Sequence, residues 1–263
     1  MTQPPVPRIQ LNDGTSIPQL GFGVFKVDPK QTERIVTEAL EVGYRHLDTA
    51  TIYGNEAEVG RALRDSGLDR GDVFVTTKLP PERAGQERKT LDTSLRALGV
   101  DQVDLWLIHW PPRGGAASRR LWQEIRAARD AGLARAVGVS NYSLSQLDDL
   151  IEASGEAPAV NQVPWSPFEH DPNELAGNRA RGVVLEGYSP LKRSNLTDPV
   201  LVDIGRRYGV SVPQVVLRWH LEHNIPVIPK SANRDRIAAN LDLFGFTLSA
   251  EDVARIDALG GRA

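Results

Sequence analysis

Four side chains that could together perform acid–base chemistry stand in the first half of the chain. They are Asp48 in "YRHLD", Tyr53 in "TATIYGNE", Lys78 in "VFVTTK" and His109 in "VDLWLIHW". Three of them end short apolar runs of the kind that form β-strands, and Tyr53 follows Asp48 in the adjoining loop. Strand alternation gives Asp48, Lys78 and His109 the same inward-facing phase. The pattern therefore predicts that the four groups meet at the ends of consecutive strands.

The chemistry of such a cluster is proton donation to an oxygen atom. A tyrosine phenol has an ordinary pKa of about 10, which is high for an acid catalyst near neutral pH. A lysine ammonium ~4 Å away contributes about 4 kcal/mol at an effective dielectric of ~20, or about three pK units before desolvation opposes it. We therefore expect Lys78 alone to make Tyr53 a usable proton donor. Asp48 would keep Lys78 charged, and His109 would orient a substrate oxygen.

Each residue taken alone has a structural interpretation as well. An aspartate at a strand end can cap a turn, a lysine can reach solvent, and a tyrosine or histidine can simply pack. His46 shares the phase of Asp48 and is a rival to His109, but it lies two residues deeper, so we expect it to be a buried structural histidine. The four-residue set contains neither a nucleophile nor a metal-ligand cluster. A hydride for carbonyl reduction must then come from a cofactor.

The composition excludes several other classes of protein. The chain has 263 residues, a net charge of −3, a pI of about 6.0 and no cysteine. It therefore lacks the basic surplus typical of nucleic-acid binding, and it cannot form disulfides or use a thiolate. The start "MTQPPVPRIQ" does not resemble a signal peptide, and no apolar run approaches the ~20 residues of a membrane span. We expect a cytoplasmic monomer with a single domain over residues 1–263.

Short apolar runs alternate with amphipathic stretches along most of the chain. A hairpin is predicted first in "RIQLNDGTSIP", with Asp13-Gly14 as its turn. The predicted strands are 20–23, 44–48, 73–78, 103–109, 135–140, 160–162, 183–188 and 225–228. The predicted helices are 29–42, 55–66, 87–98, 118–131, 143–153, 198–208, 212–221, 235–241 and 250–259. Eight strands joined by helices favour a (β/α)₈ TIM barrel. An open doubly wound sheet is the alternative, but "GFGVFK" lacks the third glycine of its phosphate-binding motif.

The segments that carry the four residues also resemble a known family. "GYRHLDTATIYGNEAEVG", "TTKL", "LIHWP" and "IPKSANRDRIAAN" are together similar to the signatures of the aldo-keto reductases, and the likeness extends over essentially the whole chain. The opening "LGFGVFKV" resembles the bacterial branch that includes 2,5-diketo-D-gluconate reductases. The resemblance implies a TIM barrel, NADPH-dependent carbonyl reduction, and a catalytic tetrad formed by Asp48, Tyr53, Lys78 and His109.

A cofactor site is indicated near the last strand. Lys230 and Ser231 precede a helix with Arg234 and Arg236 at its start, and basic side chains at a helix N-terminus suit a phosphate. A solvated basic helix start is the alternative. The resemblance implies a wider set of cofactor contacts: Lys230, Ser231, Arg236 and Asn240 at the 2′-phosphate; Ser140, Asn141 and Gln162 at the carboxamide; Tyr188 against the ring; and Ser189 and Leu191 along the pyrophosphate. The chain departs from the family at Ala239 and directly after "VNQ".

The substrate pocket is less well defined by the sequence. Phe25, Trp110 and Trp165 are candidate aromatic walls. The resemblance implies a C-terminal loop over the pocket, but only four residues follow Leu259 in "DALGGRA", and the connection "PPRGGAASRR" after the fourth strand is brief for the family, so we expect a pocket that is open on one side. Such a pocket predicts broad specificity for small carbonyl compounds or keto-sugars.

Three other functions compete with carbonyl reduction, each with less support from the sequence. A glycosidase could use Glu186 as one carboxylate of its pair. A Schiff-base aldolase could use Lys78 or Lys230 as its amine. A regulatory protein could bind the cofactor without turning over a substrate.

Overall fold

The computed structural model describes residues 6–260 and has a closed barrel at its centre. Eight parallel strands follow one another around the sheet, and a bridge between Leu20 and Val227 joins the first strand region to the last. The strands are β3 (Phe22–Gly23), β4 (His46–Asp48), β5 (Phe74–Leu79), β6 (Val103–Ile108), β7 (Ala134–Ser140), β8 (Val160–Pro164), β9 (Val184–Tyr188) and β10 (Val227–Ile228). The predicted TIM barrel is confirmed.

Helices surround the barrel and return the chain from each strand to the next. They are α1 (Pro29–Val42), α2 (Glu56–Asp65), α3 (Glu87–Leu98), α4 (Gly115–Asp130), α5 (Leu144–Ser154), α6 (Pro172–Ala180), α7 (Pro199–Tyr208), α8 (Val212–Glu222), α9 (Arg234–Leu241) and α10 (Ala250–Asp257). The sequence did not predict α6. Helix α4 was expected to begin at residue 118, so part of the expected loop after β6 is the first turn of that helix.

The predicted N-terminal hairpin is present and closes the lower end of the barrel. It pairs β1 (Arg8–Gln10) with β2 (Ser16–Pro18), and Asp13 holds the turn by accepting a hydrogen bond from the backbone of Thr15 at 2.8 Å. Leu11 and Ile17 from the hairpin pack into a buried cluster with Phe74 and Leu105 of the barrel. With this end covered, the open end of the barrel is the one where the strands finish.

The apolar core lies mainly between the strands and the helices. Trp106, Ile108 and Val137 on the outer side of the sheet belong to one buried cluster with residues of α1 to α5. A second cluster, which includes Trp165 and Trp219, fills the space around α7, α8 and α10. This packing holds the strand ends rigidly, which is what side chains need in order to keep a fixed geometry there.

Two predictions rest in part on residues that the structure does not describe. The prediction about a signal peptide rests on the proline-rich start, which includes residues 1–5, and the prediction of an open pocket rests on the end of the chain, which includes residues 261–263. Within residues 6–260, none of the helices combines the length and the apolar character that crossing a membrane requires.

Candidate active site

The ends of β4 and β5 bring Asp48 and Lys78 into direct contact. The Nζ of Lys78 lies 2.7 Å and 2.8 Å from the two carboxylate oxygens of Asp48 and 2.9 Å from the carbonyl oxygen of Thr49. Its remaining neighbour is the phenol oxygen of Tyr53, at 3.4 Å. A short 3₁₀ turn over Thr51–Tyr53 directs that phenol back over the strand ends. Three of the four residues singled out in the sequence therefore form one contiguous group.

The ionisation of this group differs in one respect from the expectation. Burial lowers the pKa of Lys78, but the charge of Asp48 and its hydrogen bonds outweigh burial, so the net pKa is raised and the ammonium stays charged. Burial also dominates at Tyr53 and raises the pKa of the phenol, with Lys78 opposing and Asp48 adding to the increase. The prediction that Lys78 alone would lower the pKa of Tyr53 is therefore wrong for the cofactor-free protein. The reason is that desolvation of the buried phenol outweighs the effect of the Lys78 ammonium, which the charge of Asp48 also partly offsets.

His109 completes the group from the residue after β6. Its ring lies 5.7 Å from the ring of Tyr53, centroid to centroid, in an edge-to-face arrangement. Burial, and secondly the charge of Lys78, lower the pKa of His109 to about 3, so the imidazole is neutral at physiological pH. Within residues 6–260 the ring makes no hydrogen bond, and His109 lines the cleft described below. The rival His46 lies deeper, fully buried, with Thr76 at 3.1 Å.

The ends of β7, β8 and β9 supply amide and hydroxyl groups on the facing wall. Asn141 donates to the carbonyl of His109 at 3.0 Å and accepts from the phenol of Tyr188 at 2.8 Å. Ser140 donates to the carbonyl of Gln162 at 2.8 Å, and Gln162 donates to Asp48 at 2.9 Å. This network ties the predicted carboxamide contacts to the predicted proton donor.

These residues surround a cleft of about 650 Å³. Most of its walls were predictable from the sequence, including Phe25, Trp110, Ser189, Leu191 and Lys230. The lining residues that the sequence did not predict include Lys26, Ile52, Lys192 and Arg193. The segments "FKV" and "SPLKRS" carry their basic residues beside positions that had been identified, which was the available signal. Trp165 had been expected in the pocket wall, but it is 1% exposed and lies in the core, so that expectation is wrong.

Of the predicted phosphate contacts, Lys230 lines the cleft, Ser231 and Arg236 lie near the start of α9, and Asn240 lies near its end. Asn233 caps the helix by accepting from the backbone N–H of Arg236 at 2.9 Å. Arg234 turns away and pairs with Glu41 on α1 at 2.6 Å, whereas Arg236 has no ion pair within residues 6–260. Ser231 and Asn240 are nearly buried and, like Arg236, do not line the cleft itself.

The cleft fits a phosphorylated dinucleotide. Amide and hydroxyl groups lie at its inner end, and four basic side chains line it: Lys26, Lys192, Arg193 and Lys230. Lysine and arginine are the usual partners of phosphate oxygens, and a helix N-terminus close by adds to the positive potential.

The geometry bears on two of the alternative functions. Glu186 is completely buried and does not line the cleft, so it is not placed to act on a glycosidic bond. Lys78 is held as a charged ammonium by Asp48, whereas a Schiff-base lysine must be uncharged.

Comparison with known proteins identifies the family of the chain. A model described as the aldo/keto reductase family matches residues 19–260. A morphine 6-dehydrogenase of Pseudomonas putida is 43% identical over 96% of this chain and 91% of its own, and an aldo-keto reductase of Mycolicibacterium smegmatis is 44% identical over 96% and 93%.

Solved structures extend the likeness to the fold and the cofactor. An aldo/keto reductase from Brucella melitensis superimposes with a TM-score of 0.93 at 42% identity, over 97% of this chain and 98% of its own. A Bombyx mori aldo-keto reductase in complex with NADP has a TM-score of 0.92 at 34% identity, over 99% and 95%. With the barrel, the cleft and these relatives in agreement, the chain belongs to the aldo-keto reductase family and is an NADP(H)-dependent enzyme.

Proposed function

We propose that this enzyme reduces aldehydes and ketones to alcohols, with Tyr53 as the general acid. The observation that carries the proposal is the phenol of Tyr53, which lines the cleft 3.4 Å from a charged, buried lysine and beside a neutral histidine ring. The bound nicotinamide supplies the hydride. Every other role in the reaction falls to side chains of this chain.

The raised pKa of Tyr53 suits the reductive direction. A phenol that stays protonated throughout the neutral range always holds the proton that the substrate oxygen needs, but its high pKa makes it a weak acid, so the transfer depends on Lys78. Lys78 would stabilise the phenolate that remains, and Asp48 would keep Lys78 charged and fixed. His109, being neutral, would share a hydrogen bond with the substrate oxygen and set its angle.

The cofactor contacts follow the order of groups along the cleft. Ser140, Asn141 and Gln162 would hold the carboxamide, and Tyr188 would pack on the nicotinamide ring. Ser189 and Leu191 would follow the pyrophosphate. The remaining predicted contacts, at the 2′-phosphate, are Lys230, Ser231, Arg236 and Asn240.

We propose a broad range of carbonyl substrates. Phe25, Ile52 and Trp110 line the cleft and are each about half exposed, at 50%, 57% and 49%. Apolar side chains exposed at a pocket rim favour apolar or sugar-like molecules of varied size over one closely fitted compound. The Pseudomonas putida relative is named for morphine, a polycyclic compound, which supports testing bulky ketones as well as small aldehydes and keto-sugars.

We also propose that the enzyme acts as a monomer. Asp48, Tyr53, Lys78 and His109 all come from one chain, so the proposed chemistry needs no partner subunit. The absence of cysteine suits a reducing compartment such as the cytoplasm.

The test is an assay of the purified protein with NADPH and a panel of aldehydes, ketones and keto-sugars. We expect loss of NADPH absorbance only when enzyme and carbonyl compound are both present, and slower loss with NADH. Tight NADPH binding without turnover of any member of the panel would contradict carbonyl reduction and would favour the regulatory alternative.

A further inference from the structure

A buried carboxyl group, Glu186, lies next to the active site and has no part in the proposed proton transfer. It sits on β9 with no solvent exposure. One carboxyl oxygen, Oε2, accepts from the side-chain nitrogen of Gln162 at 2.8 Å. The other, Oε1, has no hydrogen-bond partner within residues 6–260 and lies 3.9 Å from the Nε2 of His46.

Burying a carboxyl group costs free energy, and the hydrogen bond from Gln162 offsets part of that cost for Glu186. Burial, and then the nearby charge of Asp48, raise the pKa of Glu186 well above its usual range, which favours the neutral acid near neutral pH. A neutral carboxyl group keeps a carbonyl oxygen that can accept a hydrogen bond from Gln162. An apolar side chain of similar size would avoid the desolvation cost but would lose this acceptor.

The amide of Gln162 is held between two carboxyl groups. Its Nε2 donates to Asp48 at 2.9 Å as well as to Glu186. An amide nitrogen carries two N–H groups, so both are used. The backbone of Gln162 is fixed too, because its carbonyl accepts from the hydroxyl of Ser140 at 2.8 Å and from the N–H of Asn141 at 2.9 Å.

This arrangement determines which end of the amide faces the ligand. If the amide were rotated by half a turn, its carbonyl oxygen would face the Asp48 carboxylate, which has no proton to donate, and the N–H bond to the carboxyl oxygen of Glu186 would be lost. The carbonyl oxygen therefore points away from the two carboxyl groups. It has no hydrogen-bond partner within the described residues, and Gln162 lines the cleft.

We propose that Glu186 is a positioning residue, which turns the amide of Gln162 so that its carbonyl oxygen accepts an N–H from the carboxamide of the nicotinamide. The inference rests on the proposed placement of the carboxamide beside Gln162. A fixed acceptor would make that contact selective, because it strengthens the binding of a ligand that has an N–H and does not strengthen the binding of a ligand that lacks one.

Two substitutions separate the hydrogen bond from the charge. Glu186→Gln keeps an oxygen acceptor and resembles the neutral acid, whereas Glu186→Leu has a similar size and no acceptor. Both variants remove the ionisable group, so any difference between them reports the acceptor alone. The melting temperature of each variant would verify that the barrel is folded.

The measurement is equilibrium binding, followed by quenching of tryptophan fluorescence. Two ligands are compared: NADP and its acetylpyridine analogue, in which a methyl ketone replaces the carboxamide and no N–H can be donated. We expect the wild-type enzyme and Glu186→Gln to bind NADP about three- to tenfold more tightly than the analogue, the ratio expected for one neutral hydrogen bond. In Glu186→Leu the ratio should fall toward one.

Two results would overturn the proposal. An unchanged ratio in Glu186→Leu would show that Glu186 does not position the amide. A wild-type ratio of one would show that Gln162 makes no selective contact with the carboxamide, while turnover of the carbonyl panel would still report separately on the proposed reaction.

A second readout needs no variant. In the cofactor-free wild-type enzyme, both side-chain amide protons of Gln162 should exchange with solvent slowly, as measured by nuclear magnetic resonance. If either proton exchanged as fast as that of an exposed glutamine, the two-carboxyl arrangement would be wrong.

Discussion

Lys78 and Asp48 show how a small group of residues sets its own ionisation. The ammonium and carboxylate are both nearly inaccessible to solvent, and their two short contacts keep each other charged. The same pairing reduces the field that reaches Tyr53, so burial decides the pKa of the phenol. At the level of the residue, the enzyme is therefore arranged to hold a protonated tyrosine rather than to ionise one.

Substituting Lys78 tests this electrostatic account. In Lys78→Met, the main interaction that lowers the pKa of Tyr53 is lost, so that pKa should rise further. Alcohol oxidation, which needs the ionised phenol to accept a proton, should then require a higher pH, and turnover in both directions should fall. The measurement is the pH profile of kcat in each direction.

Lys89→Met is a suitable control, because Lys89 is an exposed lysine on α3. It should leave the profile unchanged. A profile for Lys78→Met that moved to lower pH, or that coincided with the control, would contradict the role given to Lys78.

At the scale of the element, close approach of neighbouring strands carries much of the precision of the site. Gly138 on β7 has no room for a side chain, because a Cβ there would lie 2.5 Å from the carbonyl oxygen of Val160 on β8. Ser140 on β7 pairs in register with Gln162 on β8, so the spacing of the two strands sets the distance between two proposed cofactor contacts. Any added atom must push the strands apart.

We therefore expect Gly138→Ala to be destabilising. Overpacking against a backbone atom costs about 1–3 kcal/mol, and the free energy of unfolding in urea would measure it. Gly71→Ala is the matched control, since nothing lies within 4 Å of a Cβ at that position. Equal stability of the two variants would show that β7 and β8 tolerate a wider spacing.

Helix α9 offers a second prediction at this scale. Arg236 has no ion pair within residues 6–260, whereas Arg234 is held by Glu41 at 2.6 Å. Arg236→Ala should weaken NADPH binding about 10- to 150-fold, the value of a charge-assisted hydrogen bond, and should leave NADH binding nearly unchanged. Arg234→Ala should affect neither cofactor. Equal losses for NADPH and NADH would mean that Arg236 supports the helix rather than the 2′-phosphate.

The elements also show where sequence reasoning succeeds and where it stops. The strands were predictable because they are apolar runs bounded by turn residues. Helix α6 was missed because only Leu175 and Asn178 of its residues are buried, which leaves almost no amphipathic pattern. Its start was nevertheless marked, since Asp171 caps the helix and Pro172 occupies the first turn.

The candidate active site was also only partly predictable from the sequence. The grouping of Asp48, Lys78, Tyr53 and His109 could be predicted, because three of them stand at strand ends and Tyr53 follows in the adjoining loop. The pKa of Tyr53 could not be predicted, because it depends on how deeply three elements bury the phenol. The role of Glu186 depends on its pairing across the sheet with Gln162, which no local pattern reveals.

At the scale of the whole molecule, the barrel brings the proposed catalytic and cofactor-binding residues together at one end. The hairpin covers the lower end, and the cleft with its exposed apolar rim lies at the other. A rim of this kind should discriminate poorly among substrates, because each lost apolar contact changes the transition-state energy by only about 1–3 kcal/mol. A single domain over residues 1–263 and the likeness to the 2,5-diketo-D-gluconate reductase branch stay predictions.

Kinetics across the carbonyl panel would measure this breadth. We expect several aldehydes and ketones, bulky ones included, to be reduced with high Michaelis constants and comparable kcat/KM. Trp110→Ala should change the ranking among apolar substrates more than it changes NADPH binding. One substrate preferred by more than about a thousandfold, with a micromolar KM, would contradict an open pocket.

The proposed reaction depends on Tyr53 as the proton donor. The most direct measurement is the single-turnover rate of carbonyl reduction by Tyr53→Phe, with the dissociation constant of NADPH measured on the same preparation. Because positioned proton transfer contributes about 10²–10⁴-fold, we predict a rate lower by at least about 100-fold, with NADPH binding nearly unchanged. Retention of more than about a tenth of the wild-type rate would contradict the assignment, and another group would have to be the acid.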